Sequence, residues 1–216
     1  NLLKEIDFLG LPTTYEYTNN DITKVVDATG ITTENRYSNH NLTWSQKSYK
    51  EGNSTIYLGT DFYSYDSYGN QTAAGASRDG VYKETRASYS SDSNNLATIT
   101  DELGNVTTYE YDPNTSMLLS VKYPKDTEST KTKYVYDKMF RLASTTAKTD
   151  QGIDMSVGYG YGSVNINDSD QIKTVTTKSS VYNFTYGDFS LRTKVAVGST
   201  TLATYTYTND AYHRLE

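Results

Sequence analysis

Pairs of aromatic residues separated by a single residue recur along the chain. The clearest copies are Tyr15-Glu16-Tyr17, Tyr63-Ser64-Tyr65-Asp66, Tyr109-Glu110-Tyr111-Asp112, Tyr134-Val135-Tyr136-Asp137, Tyr159-Gly160-Tyr161 and Tyr205-Thr206-Tyr207. Because side chains alternate between the two faces of a β-strand, each pair places two rings on the same face. The pattern therefore predicts a β-strand at every copy, with tyrosines in rows on one side.

A turn is predicted directly after each aromatic pair. Asp66, Asp112 and Asp137 suit its first position, because a carboxylate can accept hydrogen bonds from backbone N–H groups two residues further on. Gly69 supplies the positive φ that such a turn needs. Phe140 stands in the corresponding region of its own copy and does not tolerate that conformation, so a different turn is expected there.

A second strand is expected to leave each turn. It starts near Arg141-Leu142 in one copy, and the runs 22–26 and 171–176 have its β-branched composition. It ends in a second turn, such as residues 101–105, after which the chain enters the next aromatic strand. Each repeat is thus predicted to be one β-hairpin.

The repeats follow one another at near-constant spacing. The second aromatic of each copy, here termed the marker, falls at positions 17, 37, 65, 89, 111, 136, 161, 186 and 207. A lone hairpin is marginal in water, so consecutive hairpins must pair with each other. The predicted fold is all-β: consecutive antiparallel β-hairpin repeats forming one curved or spiralling sheet of roughly 16 to 20 strands, with little helix.

The predicted organisation is a single array of about nine hairpin repeats over residues 1–216. The long gap between the markers at 37 and 65, with the segment 47–60 inside it, predicts an insertion or an irregular repeat. The chain begins with Asn1 and stops just after a motif has started, so it is expected to be a piece of a longer protein.

The composition narrows the function classes. The chain has 20 basic and 26 acidic residues, for a net charge of -6, and so lacks the basic footprint of a nucleic-acid-binding protein. The absence of cysteine excludes a disulfide scaffold and a thiolate zinc site. No apolar run is long enough for a membrane-spanning helix. The 22 tyrosines, against 5 phenylalanines and 1 tryptophan, favour half-buried pleated surfaces.

The motifs carry a family resemblance. Tyr109-Glu110-Tyr111-Asp112, Tyr134-Val135-Tyr136-Asp137 with Arg141-Leu142, and Tyr63-Ser64-Tyr65-Asp66 with Gly69 resemble the YD repeat of RHS proteins, teneurins and Gram-positive wall-associated polymorphic toxin proteins. The family pattern is roughly Tyr-x-Tyr-Asp-x-x-Gly-Arg-Leu, followed by a strand and an Asp-x-x-Gly turn. The resemblance extends from about Pro12 to Glu216.

The resemblance implies both a fold and a role. In this family the hairpins join into one sheet that spirals into a hollow shell, and in bacterial polymorphic toxins the shell encloses a toxic C-terminal domain. It implies a structural scaffold or shell segment of a large secreted or cell-wall-associated protein, whose partners are neighbouring repeats and an enclosed toxin domain. The family's self-cleaving cap carries paired Asp-Pro-x-Gly motifs, whereas this sequence has only Asp112-Pro113, so neither an autoprotease nor any other enzyme is expected.

Carbohydrate binding is the alternative function. Trp44 lies outside the repeat pattern, and an indole ring can stack on a sugar, so Trp44 is the candidate residue for binding cell-wall or host glycans. The motif tyrosines are instead expected to pack in ladders across neighbouring strands.

Other site chemistry has little support. Residues 165–170 alternate oxygen-bearing side chains as a calcium loop does, but lack its glycine and distal glutamate. His40 and His213 fall where the repeat has turn residues, so neither is assigned to a metal site or a catalytic triad. No cofactor, metal or catalytic residue is expected, and neither nucleic acid nor a membrane is an expected partner.

Overall fold

A computed structural model describes residues 1–92, 94–149, 151–162, 170–208 and 214–215. His213 and most of the candidate calcium loop lie outside these residues. Eighteen β-strands of one open antiparallel sheet and a three-residue 3-10 turn, Asp188–Ser190, account for the regular structure of the described residues. No helix in this part of the chain is long and apolar enough to cross a membrane. The predicted all-β class and the predicted strand number are confirmed.

The chain divides into two compact units, Asn1–Thr108 and Tyr109–Glu216. Unit 1 contains β1 (Lys4–Ile6), β2 (Pro12–Thr18), β3 (Asp21–Val26), β4 (Thr32–Ser38), β5 (Asn41–Glu51), β6 (Ser54–Tyr65), β7 (Gln71–Arg78), β8 (Val81–Tyr89) and β9 (Leu96–Thr100). The boundary falls within β10 (Val106–Tyr111). Antiparallel ladders join each strand to the next one along the sequence from β1 to β10.

Unit 2 follows the same plan with shorter strands. They are β11 (Leu118–Lys122), β12 (Thr132–Tyr136), β13 (Leu142–Thr146), β14 (Val157–Tyr161), β15 (Ile172–Thr177), β16 (Val181–Tyr186), β17 (Arg192–Val197) and β18 (Thr200–Thr204). Sequential antiparallel ladders join β11 to β18. Each hairpin therefore pairs with its sequence neighbours, as the repeat predicts.

The turn within a hairpin and the turn between consecutive hairpins have the same structure. At Asp66 the backbone N–H donates to the carbonyl of Asn70 at 2.9 Å, and the N–H of Gly69 donates back to the Asp66 carbonyl at 3.2 Å. Oδ1 of Asp66 accepts from the N–H groups of Tyr68 and Asn70, both at 2.9 Å. The same four bonds form the turns that begin at Asp7, Asp27, Asp101 and Asp137.

The expectation that the Phe140 turn differs is wrong. The N–H of Phe140 donates to the Asp137 carbonyl at 3.0 Å, and Phe140 adopts a φ of 61°. A non-glycine residue in this region costs about 1 to 2 kcal/mol. Asp137 offsets this cost: Oδ1 accepts from the N–H of Met139 at 2.8 Å, and Oδ2 accepts from Nε of Arg141 at 2.7 Å.

A β-bulge lies immediately before the marker in seven repeats. Glu16 pairs with Lys24 but Tyr17 pairs with Ile22, so that Thr23 is an extra residue on β3. The register shifts in the same way before Tyr37, Tyr65, Tyr89, Tyr136, Tyr161 and Tyr186. A bulge bends its strand and increases the local twist, so the twist of the strands increases at each of these hairpins.

The sheet has two distinct faces. The motif face carries the paired tyrosines, which are half-buried, and the opposite face carries the residue between them, such as Glu16 or Val135, which is exposed. Few described side chains are buried, namely Val121, Ala196, Ser45 and Ser120. The stabilising contacts are therefore spread along the strands rather than gathered in one central core.

Candidate functional site: the repeated tyrosine lock

The hydroxyl of the marker tyrosine makes the same hydrogen bond in seven repeats. Oη of Tyr136 donates to the carbonyl of Leu118 at 3.0 Å, and Oη of Tyr161 donates to the carbonyl of Leu142 at 2.8 Å. The other five bonds, 2.9 to 3.1 Å long, run from Tyr17 to Leu2, Tyr37 to Ile22, Tyr89 to Gln71, Tyr186 to Ile172 and Tyr207 to Arg192.

The acceptor has the same place in the repeat in five of the seven copies. Leu142 is the ladder partner of Tyr136 at its bulge, and the Leu142 carbonyl accepts from Tyr161, the next marker. Ile22 stands in the same relation to Tyr17 and Tyr37. We name the marker hydroxyl bound to a carbonyl of the strand before it the tyrosine lock; in five of the seven copies this carbonyl lies at the bulge of the preceding repeat.

The lock explains why the motif uses tyrosine rather than phenylalanine. A bulge interrupts the ladder locally, and the hydroxyl adds a hydrogen bond beside that interruption. A phenylalanine could fill the same half-buried space but could not donate the bond. Each lock joins the marker strand to the adjacent strand before it, which belongs to the preceding hairpin, so it ties one hairpin to the hairpin before it.

The surroundings of two of the lock tyrosines, Tyr37 and Tyr161, raise the pKa of their phenols. Burial raises the pKa of the Tyr37 phenol, with the nearby Asp21 carboxylate adding to the shift. Burial likewise raises the pKa of Tyr161, although the Arg141 guanidinium, 4.3 Å from the ring centre, opposes it. The raised pKa values mean that these two phenols remain donors at neutral pH.

The extra residue at the bulge is also similar from repeat to repeat. Threonine or alanine occupies six of the seven bulge positions. Oγ1 of Thr23 donates to the carbonyl of Glu16 at 3.3 Å, and Oγ1 of Thr43 donates to the carbonyl of Arg36 at 3.1 Å. These bonds reach the carbonyl just before the marker, so the hydroxyl restores hydrogen bonding within the bulge.

The structure brings the predicted motif residues to equivalent places. Tyr15, Tyr63, Tyr109 and Tyr134 lie beside the markers Tyr17, Tyr65, Tyr111 and Tyr136 on the strands, and Tyr205 and Tyr207 follow β18. Asp66 with Gly69, Asp112 and Asp137 form turns. Sequence reasoning missed the bulges and the locks. The recurrent threonine or alanine one residue after the ladder partner of the marker is the signal that could have revealed them.

Asp112 begins a longer turn. Its Oδ1 accepts from the N–H groups of Asn114 and Thr115, each at 2.9 Å, while its own N–H donates to the carbonyl of Met117 at 2.8 Å. Hydrogen bonds from Thr115 and then Asn114 lower the pKa of Asp112, so the carboxylate is charged and fully engaged in the turn. Asp112, which precedes Pro113, therefore stabilises the turn.

Trp44 lies on the opposite face of β5, paired with Arg36 on one side and Phe62 on the other. Its ring is half-buried, and the guanidinium carbon of Arg36 is 4.3 Å from the ring centre. This is a cation–π contact that occupies one side of the indole.

His40 lies in the turn before β5 with a φ of 63°, and Nδ1 is 3.1 Å from the Asp21 carboxylate. It is a turn residue, as predicted. Among the described residues, no group of three or more histidine, aspartate or glutamate side chains could hold a metal ion.

A family model for the RHS repeat matches residues 89–128. This stretch of the chain is similar to an RHS repeat. The matched stretch runs from the marker Tyr89 through the Asp101 turn and the Tyr109-Glu110-Tyr111-Asp112 motif, so the predicted resemblance to the YD/RHS family is confirmed. None of the curated protein sequences matches the chain.

The sheet is similar to parts of two solved Tc toxin structures. The crystal structure of TcdB2-TccC3-TEV has 13% sequence identity and a TM-score of 0.56, covering 95% of this chain and 12% of that chain. The Photorhabdus luminescens Tc holotoxin pore has 13% identity and a TM-score of 0.53, covering 100% and 13%. The chain thus spans about an eighth of the solved chains it matches, and at this identity the likeness shows a shared fold.

Proposed function

We propose that the chain is a structural wall segment of an RHS-type shell in a toxin-like protein, and that it performs no catalysis itself. The tyrosine lock is the observation that carries this proposal. Seven copies of one hydrogen bond, each tying a hairpin to its predecessor, serve stacking rather than recognition of a ligand.

The two-faced sheet suits a wall. The motif face keeps its tyrosines half-exposed, and the opposite face carries charged residues such as Lys24 and Glu16, whose ion pair measures 3.0 Å. A sheet that is not covered by a second layer can line an interior with one face and meet solvent with the other. The fold shared with parts of Tc toxin structures supports this role.

The partners in this role are neighbouring RHS repeats and an enclosed toxin domain. The parent protein is secreted or associated with the cell wall, since a toxin has to reach another cell. The motif tyrosines and turn residues from Tyr15 to Tyr207 then act as the joints of the wall.

Enzymatic iodination of tyrosine tests the wall. Lactoperoxidase is too large to enter a closed shell, so it labels only the outside. Tyr136 on the motif face and Tyr82 on β8 are compared in the 216-residue chain and in a longer protein that contains it. We expect the ratio of the two labels to change in the longer protein because the interior face becomes protected. An unchanged ratio overturns the shell.

Carbohydrate binding is the second candidate function. The observation that favours it is the exposed aromatic side chains in unit 1, where Phe62 is 37% exposed and Tyr82 is 52% exposed. Trp44 is next to Phe62 in the ladder, with one side of its ring taken by Arg36. Loss of glycan binding on Trp44→Ala substitution, with folding retained, is the result expected if Trp44 contributes.

A further inference from the structure

A row of side chains crosses the opposite face of unit 1, starting at Arg36, which immediately precedes the marker Tyr37. The ladders place Arg36 beside Trp44, Trp44 beside Phe62, Phe62 beside Gly75, and Gly75 beside Glu84. None of these residues belongs to the tyrosine lock. The row therefore requires an explanation other than the stacking of hairpins.

Gly75 makes room for a ring. A Cβ atom at this position would be 2.5 Å from the hydroxyl of Tyr82, so the Tyr82 side chain lies directly over the glycine. The Tyr82 and Phe62 rings meet edge to face, with centroids 5.9 Å apart and an interplanar angle of 70°. The two rings form a corner on the sheet surface.

Polar groups line the same corner. Ser64, Ser77 and Glu84 complete a groove of about 370 Å³ with the two rings. Oε1 of Glu84 accepts from the Tyr82 hydroxyl at 2.9 Å, and Oε2 accepts from Nε of Arg86 at 2.6 Å. The Glu84 side chain is only 19% exposed, and the bonds from Tyr82 and Arg86 hold its carboxylate in one place.

We infer that this groove binds a pyranose of a neutral oligosaccharide. The C–H groups on one face of a pyranose are attracted to the negative face of an aromatic ring, and its hydroxyls need acceptors and donors at the rim. Phe62 and Tyr82 supply the rings, and Glu84 with the two serines supplies the polar rim. The volume falls within the range of about 300 to 1,000 Å³ that small-molecule sites occupy.

The charges favour a neutral ligand over a cation. An aromatic corner with a carboxylate can also hold an ammonium group. Here Arg86 already balances the Glu84 charge, and Arg36 already occupies the adjacent Trp44 ring. The remaining carboxylate lone pairs can accept hydrogen bonds from sugar hydroxyls without a further positive charge.

The site rests on the second candidate function and is independent of the shell. A shell can fail the iodination test while the groove still binds sugar, and the groove can fail while the shell stands. The chain also provides its own probe, because Trp44 is the single tryptophan and lies beside Phe62.

The test is titration of the 216-residue chain with cellohexaose, maltohexaose and the hexamer of N-acetylglucosamine, followed by Trp44 fluorescence and calorimetry. Saturable binding of at least one oligosaccharide is expected. Gly75→Ala should weaken it by about tenfold or more, because the new Cβ displaces Tyr82. Gly158→Ala is the matched control on unit 2: its Cβ would meet Thr176 at an ordinary 3.7 Å, so binding should not change.

Tyr82→Ala is the second variant should Gly75→Ala fail to fold, since this exposed side chain can be removed with little effect on packing. Four results overturn the proposal. They are no binding of any of the three sugars, binding that survives both unit 1 substitutions, binding of phosphocholine in place of sugar, and concentration-dependent self-association through Phe62 that displaces the sugar.

Discussion

The two units of the chain share one face and differ on the other. On the motif face, Tyr37 of unit 1 and Tyr161 of unit 2 make the same lock to the preceding repeat. On the opposite face, the row that starts one residue before a marker has different compositions. It is Arg36, Trp44, Phe62, Gly75 and Glu84 in unit 1, and Val135, Ser144, Gly158, Thr176 and Val181 in unit 2.

This difference separates what the fold requires from what it permits. The marker must be a tyrosine wherever a bulge carbonyl needs a donor, so the motif face is fixed by hydrogen bonding. The position before the marker faces away from the lock and takes any side chain that suits a pleated surface. Residues specific to a unit's own function therefore belong on the opposite face.

The largest effect is expected from removing a marker ring. Tyr37→Ala and Tyr136→Ala should each lower the free energy of unfolding by about 3 kcal/mol, because each removes both a half-buried ring and a lock. Trp44→Ala should cost clearly less, since its row lies outside the lock. Urea denaturation of the three variants, monitored by far-UV circular dichroism, measures the difference.

A neutral Tyr136→Ala with a costly Tyr37→Ala would show that the two motif faces are not equivalent. A Trp44→Ala variant as unstable as the tyrosine variants would place structural importance on the opposite face of unit 1 as well.

The next effect concerns the turn after the marker, which has Gly69 in unit 1 and Phe140 in unit 2. Both residues adopt positive φ, 91° and 61° respectively. Phe140→Gly should stabilise unit 2 or leave it unchanged, whereas Gly69→Ala should destabilise unit 1 by about 1 kcal/mol. Thermal melting of both variants tests the pair. Destabilisation by Phe140→Gly would mean that the Phe140 ring makes contacts worth more than the backbone strain.

These turns also show where sequence reasoning succeeds and fails. Asp66 and Gly69 are informative because a carboxylate and a glycine have few other reasons to stand three residues apart. Phe140 misled because its side chain argues against positive φ, while the hydrogen bonds that compensate come from Asp137 and Arg141. The preference of phenylalanine for negative φ was outweighed by this hydrogen-bond network, which the propensity of a single residue does not reflect.

The alternation of tyrosines predicted the strands and the shared face, but not the partners of the hydroxyls. Tyr161 finds its acceptor in Leu142, which is 19 residues earlier on the adjacent strand β13, so only the ladder register reveals it. The long gap between Tyr37 and Tyr65 predicted an insertion. In the structure, the additional residues of this gap extend β5 to 11 residues and β6 to 12 residues. The polar side chains of this hairpin gave no sign of its strand length.

A smaller effect isolates the lock itself. Tyr37→Phe and Tyr136→Phe keep the ring and remove only the donor, so each should cost about 1 kcal/mol. Tyr134→Phe is the matched control, because the first tyrosine of the motif lies outside the lock. Urea denaturation midpoints measure the three variants. Equal losses for Tyr136→Phe and Tyr134→Phe would deny the marker hydroxyl any special contribution.

The smallest effect distinguishes the turn carboxylates of the two units. A side-chain hydrogen bond from Arg141 is the main cause of the lowered pKa of Asp137. Asp66 also has a lowered pKa; burial, which raises it, is outweighed by hydrogen bonds from neutral donors led by Asn70. Since both folded pKa values lie below the unfolded value of about 3.9, their stabilisation is complete above that pH and is lost as the pH falls through the folded values.

Salt separates these two causes. It screens the charge of Arg141 but not the dipoles around Asp66. Titration of the carboxyl carbons by NMR should therefore show the Asp137 pKa rising towards its ordinary value in high salt while that of Asp66 stays constant. Equal pKa shifts at both residues would mean that the charge of Arg141 contributes no more to the lowered pKa of Asp137 than the amide of Asn70 contributes at Asp66. The cost of positive φ at Phe140 would then have to be offset by another interaction.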